Sequence, residues 1–376
     1  MKRRGRGEGT IYKTKAGVWK SCANRGLTSA GKRSRLYFCG KTKREVQDRL
    51  TAYHAQMMTG TFVQPSRMTV AVHLEKWLAD AVQSSVRPTT FRSYSGIVRN
   101  HIVPRIGGCN LTEVTPLRVQ TFYADLERSG VSPRSRQLVH AVLHCSFINA
   151  VKLGLLLKNP CASVSKPRVP KKTMRVLSPD QVRTLINASR KGRLSSLYVL
   201  AVTTGLRQGE LLGLQWTDIN LEDGSLQVRH TLQEYGGELN LAEPKTPSSC
   251  RRVDLPMFVV ASLREHRKEM LAERHPGPWV FCDTDGGPLR KSNLTRRDFK
   301  PLLEAAGLPP IRFHDLRHTA ATLLLAQGVH PKIVQERLGH SSIAITLDIY
   351  SHVLPSMQRD AAQRLDDLLA ESKIAS

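Results

Sequence analysis

Between residues 166 and 173 the chain reads Lys-Pro-Arg-Val-Pro-Lys-Lys-Thr. Two prolines three positions apart forbid a helix there, and neither can donate to a sheet ladder. Such an interruption divides the chain into bodies joined by an extended strap, and its basic side chains suit a run of phosphates. The charge differs sharply on its two sides. The 376 residues carry 57 Lys and Arg against 31 Asp and Glu, a net charge of +26. Residues 1–65 hold 15 basic and 3 acidic side chains, residues 66–170 hold 14 and 5, and the remainder 28 and 23. The surplus therefore sits ahead of the strap. A surplus of this size calls for a polyanionic partner, and nucleic acid is the usual one. An anionic membrane would demand an apolar anchor, but the apolar runs here fall far short of a span, so no membrane is expected. The basic N-terminus has no apolar stretch behind it and is not a secretory signal. Seven cysteines without a CxxC pair read as reduced thiols of a cytoplasmic protein. A zinc site at Cys22, Cys39 and a nearby histidine is the lesser reading.

Three parts are expected, mainly α with small β-sheets. Residues 1–62 read as a small α+β domain: short strands at Gly7–Tyr12, Gly17–Lys20 and Arg35–Phe38, then a helix through Val46, Leu50, Tyr53 and Met57. Thr42 with Glu45 three positions on is a capping box for that helix. A small sheet with so many Lys and Arg suits DNA; the plainer reading is that its charges only keep it soluble. Gly60–Arg67 is a linker. Residues 66–168 read as a four-helix bundle, with Val72, Trp77 and Leu78, then Phe91, Tyr94, Ile97 and Val98, then Leu117, Phe122 and Leu126, then Leu138, Val142, Phe147, Ile148 and Val151 at helical spacing. Residues 174–376 mix helices with strands at Ser225–Thr231 and Arg251–Leu255, and end in an amphipathic helix over 357–370.

Five short signals in the last part carry chemistry, each weak alone. In Thr204-Gly-Leu-Arg-Gln-Gly-Glu-Leu211, Arg207 and Glu210 share a helix face, so the carboxylate can hold a guanidinium that grips phosphate with two hydrogen bonds. A surface ion pair is the commoner meaning of such a spacing. In His314-Asp-Leu-Arg-His318, His314, Arg317 and His318 lie on one side of a helix, offering imidazole and a second guanidinium; a solvated basic face would look the same. Leu338-Gly-His-Ser-Ser342 sets His340 in a tight corner, with Gly339 as a C-cap and Ser341 as the next N-cap. Tyr350 follows ten residues later; a tyrosine, with a solution pKa of about 10, is a poor nucleophile unless cations and a base assist it. Lys245, in Pro244-Lys-Thr246, sits at the flank of a hairpin from which it could reach a cleft. No carboxylate cluster for two Mg²⁺ ions and no GxxxxGK[ST] loop accompany the set, so no metal, ATP or other cofactor is expected.

The ordered series TGLRxGE, PKT, HDLRH, LGHSS and an isolated tyrosine resembles the catalytic domain of the tyrosine recombinase (phage integrase) family. The three-part layout is similar to integrases with an extra N-terminal arm-binding domain. The resemblance implies an arm-type DNA-binding domain at 1–62, a helical core-binding SAM-like domain at 66–168 and a catalytic domain at 174–376. It implies that Arg207 and Arg317 clamp the scissile phosphate, with Glu210 bracing Arg207. His314 assists as general base or hydrogen-bond partner, and His340 adds a further hydrogen bond. Lys245 protonates the leaving 5′ oxygen, and Tyr350 attacks phosphorus to form a 3′-phosphotyrosyl link. The implied partner is double-stranded DNA at core and arm attachment sites. The implied assembly is a homotetramer in which the C-terminal helix packs into a neighbour, assisted by accessory DNA-bending or directionality factors in a bacterial host. Two other readings stay open on the residues: a type IB topoisomerase, with similar phosphotyrosyl chemistry, and an architectural DNA-binding protein with an inactive catalytic remnant.

Overall fold

The structure, a computed structural model, describes residues 10–27, 33–59, 67–170, 174–243, 250–350, 362–363 and 365–369. Gly7–Gly9 of the first expected strand, residues 60–66 of the linker, 171–173 of the strap, Lys245, and Met357 and Ala361 of the C-terminal stripe lie outside the described residues. The chain divides into two compact units, Met1–Lys171 and Lys172–Ser376.

The first unit opens with β1 (Tyr12–Lys13), β2 (Trp19–Leu27) and β3 (Arg33–Gly40), an antiparallel sheet in that order, followed by α1 (Lys43–Met58). Thr42 caps α1 by accepting from Glu45 N at 3.2 Å, and Glu45 Oε2 accepts from Lys41 N at 3.0 Å, one residue before the expected partner. Val46, Leu50 and Tyr53 are buried, and Leu50 and Tyr53 pack on Ala23, Leu36 and Phe38 of the sheet. Met57, expected on that face, is exposed.

The helices that follow are α2 (Val70–Trp77), α3 (Pro88–Ile97), α4 (Val103–Ile106), α5 (Pro116–Arg128) and α6 (Pro133–Lys152). Leu78–Val82 and Val98–Ile102 extend α2 and α3 as π-helical turns. Thr115 and Ser132 cap α5 and α6, each with proline at the first helical position, where its missing N–H costs nothing. The core is built from Leu74, Trp77, Ile102, Leu111, Phe122, Leu126, Val142, Leu143 and Phe147. Val72, Leu117 and Ile148, expected in this core, point outward, Leu117 with 73% of its surface exposed. They are the apolar residues next to the buried stripe, which spacing alone does not separate from it.

The second unit holds α7 (Pro179–Ser189), α8 (Ser195–Thr204), α9 (Gln208–Leu212), β4 (Ile219–Asn220), β5 (Ser225–Val228), β6 (Thr231–Tyr235), β7 (Glu238–Ala242), β8 (Arg251–Asp254), α10 (Met257–Ala272), α11 (Lys291–Asn293), α12 (Lys300–Ala305), α13 (Asp315–Ala326), α14 (Pro331–Leu338) and α15 (Ile343–Tyr350). Ser178 and Gln181 form the capping box of α7. Helix α8 is apolar all round, and Leu197, Tyr198, Val199, Leu200, Ala201 and Val202 are all buried, so it runs through the middle of the unit. Strands β4, β5 and β8 form one antiparallel sheet. Between β5 and β8 stands a further hairpin, β6–β7, whose two strands were not expected. Its two-residue turn is Gly236-Gly237, both at positive φ (64° and 90°), the backbone that a tight hairpin needs. The last helix start also differs from expectation: Ser342 Oγ, not that of Ser341, accepts from Ala344 N at 3.2 Å. Residues 362–363 and 365–369 are helical, with Leu365, Leu368 and Leu369 exposed. Among the described residues no helix is long and apolar enough to cross a membrane.

Candidate active site

Helix α8 ends on Gly205, whose φ of +65° closes the last turn in the left-handed region. A β-carbon there would lie 2.5 Å from Leu338 Cδ2, so the glycine also admits α14. The chain then extends through Arg207 (φ −67°, ψ 147°) into α9. Glu210, third in α9, is buried; its Oε2 accepts from Arg207 N at 2.9 Å and its Oε1 from Arg207 Nη1 at 2.7 Å. Arg207 Nη2 donates to Gly339 O at 3.0 Å, and the side chain remains 39% exposed. From α13, the buried Arg317 donates through Nη1 to Gly205 O at 2.8 Å and through Nη2 to Leu338 O at 2.7 Å. Both guanidinia are thus pinned to the C-terminal ends of α8 and α14. Those ends present carbonyls that the helices leave unpaired and the negative pole of the helix dipole.

His340 follows Gly339, which sits at φ +67°. Its backbone is locked to Gln335: N donates to Gln335 O at 3.1 Å, and its O accepts from Gln335 Nε2 at 2.7 Å. Its Nδ1 pairs with the buried Thr346 Oγ1 at 2.9 Å, which ties the imidazole to α15. The backbone of Tyr350 ends α15 one turn beyond Thr346. His314 stands at the start of α13, with its ring edge-on to that of His318 at 5.0 Å.

Burial, followed by the charges of Arg317 and Arg207, pushes His340 down to about 4. Burial and then His314 push His318 down to about 4. His314 is lowered by burial and by Arg317 and Arg312. Burial alone would raise Glu210, but Arg251 and Arg207 overcome it and hold the carboxyl below its ordinary range. The histidines are therefore neutral near pH 7 in a pocket whose fixed charge is positive. An anion entering this pocket would offset the arginines that disfavour imidazolium, and make the histidines better proton acceptors.

Hydrogen bonds tie Arg207 to Glu210 and set Arg207 and Arg317 on the two carbonyls just ahead of His340, with His314 at the start of the helix that carries Arg317. Lys245 lies outside the described residues, and Tyr350 is placed by its backbone at the end of α15. Sequence reading missed Arg251, buried in β8, whose Nη2 donates to Glu210 Oε2 at 3.0 Å. A signal was available: strand alternation puts Arg251 on the inward face with the buried Val253, a place where an arginine calls for a buried counter-charge. It also missed Gln335 and Thr346, polar residues within helices, for which spacing offers no cue. Among the described residues no three or more His, Cys, Asp or Glu side chains gather as a metal site.

Residues 175–357 match the Phage integrase family, and residues 69–126 match the phage integrase N-terminal SAM-like domain. The chain is 33% identical to a XerC-like tyrosine recombinase of Caldanaerobacter subterraneus subsp. tengcongensis, over 91% of this chain and 94% of that one. It is 30% identical to the ICEBs1 integrase of Bacillus subtilis, over 75% and 79%. Its fold is similar to the Tn1549 transposon integrase in complex with transposon right end DNA, with a TM-score of 0.69 at 23% identity over 79% and 99% of the chains. It is also similar to a lambda integrase tetramer bound to a Holliday junction, with a TM-score of 0.57 at 21% identity over 88% and 95%. Together with the ordered motifs and the paired guanidinia, this similarity establishes that the chain belongs to the phage integrase family and is a site-specific tyrosine recombinase serving the integration or excision of a mobile element.

Proposed function

We propose that this recombinase cuts double-stranded DNA by attack of Tyr350 Oη on the scissile phosphorus, leaving a 3′-phosphotyrosyl link and a free 5′ hydroxyl. Arg207 and Arg317 neutralise the non-bridging oxygens, where charge builds in the transition state. His314 takes the tyrosine proton, His340 adds a hydrogen bond to a phosphoryl oxygen, and Lys245 protonates the departing 5′ oxygen. Glu210 braces Arg207. The covalent link conserves the phosphodiester, so attack by another 5′ hydroxyl reverses the chemistry and rejoins strands. The observation that carries this reading is the convergence of Arg207 and Arg317 on Gly205 O, Leu338 O and Gly339 O beside His340. Two fixed cations set next to a neutral imidazole suit a phosphodiester better than any uncharged ligand.

The test is a nicked suicide duplex carrying the attachment site, run on a denaturing gel. Wild-type protein should give a covalent protein–DNA band, and Tyr350→Phe should give none while still binding the duplex. A band of equal strength from Tyr350→Phe would move the nucleophile elsewhere.

The division into an arm-binding part (1–62), a core-binding part (66–168) and a catalytic part (174–376) belongs to the same proposal. Its support in the first part is the sheet face opposite α1, where Arg35 and Tyr37 are exposed and Lys20 pairs across from Tyr12. Cations and rings on one face suit phosphate and base contacts. The DNA-bound transposon and lambda integrases support a double-stranded DNA partner here, and the lambda tetramer supports four protomers acting together. The exposed Leu365, Leu368 and Leu369 give the C-terminal helix an apolar side suited to packing on a neighbouring protomer.

A further inference from the structure

We propose that Arg251 is a positioning residue for strand cleavage, sharing the buried Glu210 carboxylate with Arg207 so that Arg207 stays aimed and its charge stays available to the scissile phosphate. The inference rests on the reading that Arg207 contacts that phosphate.

Glu210 Oε1 accepts from Arg207 Nη1 at 2.7 Å, while Oε2 accepts from Arg251 Nη2 at 3.0 Å and from Arg207 N at 2.9 Å. Glu210 and Arg251 are almost wholly buried, with side chains 3% and 7% exposed, whereas Arg207 reaches the surface of the pocket. A carboxylate paired with Arg207 alone would hold it in place but cancel its charge as an incoming anion sees it. The second guanidinium changes this balance: Glu210 still orients Arg207, and the trio keeps a net positive charge. In a buried setting such charges are weakly screened.

Arg251 also fixes the platform on which the arginines rest. Its Nε donates to Arg337 O at 2.6 Å, and Arg337 Nη1 donates back to Asp254 O at 3.0 Å. Strand β8 and the end of α14 are therefore stitched in both directions. The next two carbonyls of α14, Leu338 O and Gly339 O, are those that receive Arg317 and Arg207. One side chain thus contacts both the counter-ion of Arg207 and the helix end at which Arg207 places its other nitrogen.

The rival account is that Arg251 serves only to neutralise Glu210 in the core. Arg251→Met and Arg251→Lys, made in the full chain, separate the two accounts. Each is assayed on suicide duplexes with either an ordinary phosphodiester or a neutral methylphosphonate at the scissile position. A group that acts through charge at the phosphate matters less when that charge is absent. A fold defect slows both substrates alike, and the ratio of the two rates within one preparation does not depend on the folded fraction. Arg251→Met should slow single-turnover cleavage of the phosphodiester by about 10- to 100-fold, with methylphosphonate cleavage nearly unchanged. Arg251→Lys, which keeps the charge but loses the two-point grip, should recover part of the loss. Equal slowing on both substrates, or no slowing, overturns the proposal. Arg207→Met serves as the control. If it too slows both substrates equally, the phosphate reading of Arg207 fails and takes this one with it. If it is selective for the phosphodiester while Arg251→Met is not, only the role of Arg251 falls.

Discussion

Three histidines, His314, His318 and His340, are packed where burial and arginines resist a proton, and this has a consequence for stability. In the unfolded chain each titrates near 6.5, while His318 and His340 in the folded chain titrate near 4. Between these values the unfolded state binds more protons, so the stabilising contribution is present above about pH 6.5 and is lost as pH falls toward 4. Each of the two is worth on the order of 3 kcal/mol in this window. Urea midpoints measured from pH 7 to 4 should fall steeply, and His340→Asn should flatten the fall. Saturating DNA should flatten it too, because phosphate favours imidazolium. An unchanged pH profile in the variant would show that His340 titrates normally. The pair Arg207 and Glu210 was legible from the sequence because both partners lie on one turn of helix. Arg251 was not, because its bond to Glu210 spans 41 positions and only the fold brings the two together.

Helix ends, more than helix faces, build this site. Gly205 and Gly339 both turn the chain in the left-handed region, and each releases a carbonyl to an arginine. Gly205→Ala would strain the backbone and press a methyl against Leu338. It should cost about 2 kcal/mol in chemical denaturation and slow cleavage at temperatures where the protein remains folded. A variant as stable and active as wild type would remove Gly205 from the account. The helix ends that place the site were readable because Gly205 and Gly339 stand where each helix must stop in the left-handed region. The hairpin β6–β7 was not read, although Gly236-Gly237 carries its turn and Leu239 and Leu241 alternate in β7, because Gln233 and Glu234 break the alternation of β6. The outward Val72 and Leu117 mark the same limit from the other side, since period alone cannot say how wide a buried stripe is.

Across the whole molecule, the surplus of positive charge and the constellation residues occupy different parts of the chain. Residues 1–170 carry 29 of the 57 basic side chains but only 8 of the 31 acidic ones, whereas all the constellation residues lie in the second unit. Deleting residues 356–376 should leave cleavage of a single suicide duplex intact but abolish cooperative assembly of two duplexes in gel-shift titrations. Assembly that survives the deletion would exclude the terminal helix as the link between protomers. The pinning of Arg207 and Arg317 on helix carbonyls has an evolutionary corollary. A descendant that abandons recombination can lose a side chain that only reacts at little structural cost. It cannot as easily lose the arginines, because they terminate two helices. Among distant kin, retained arginines therefore testify to a conserved architecture and not, by themselves, to a working enzyme.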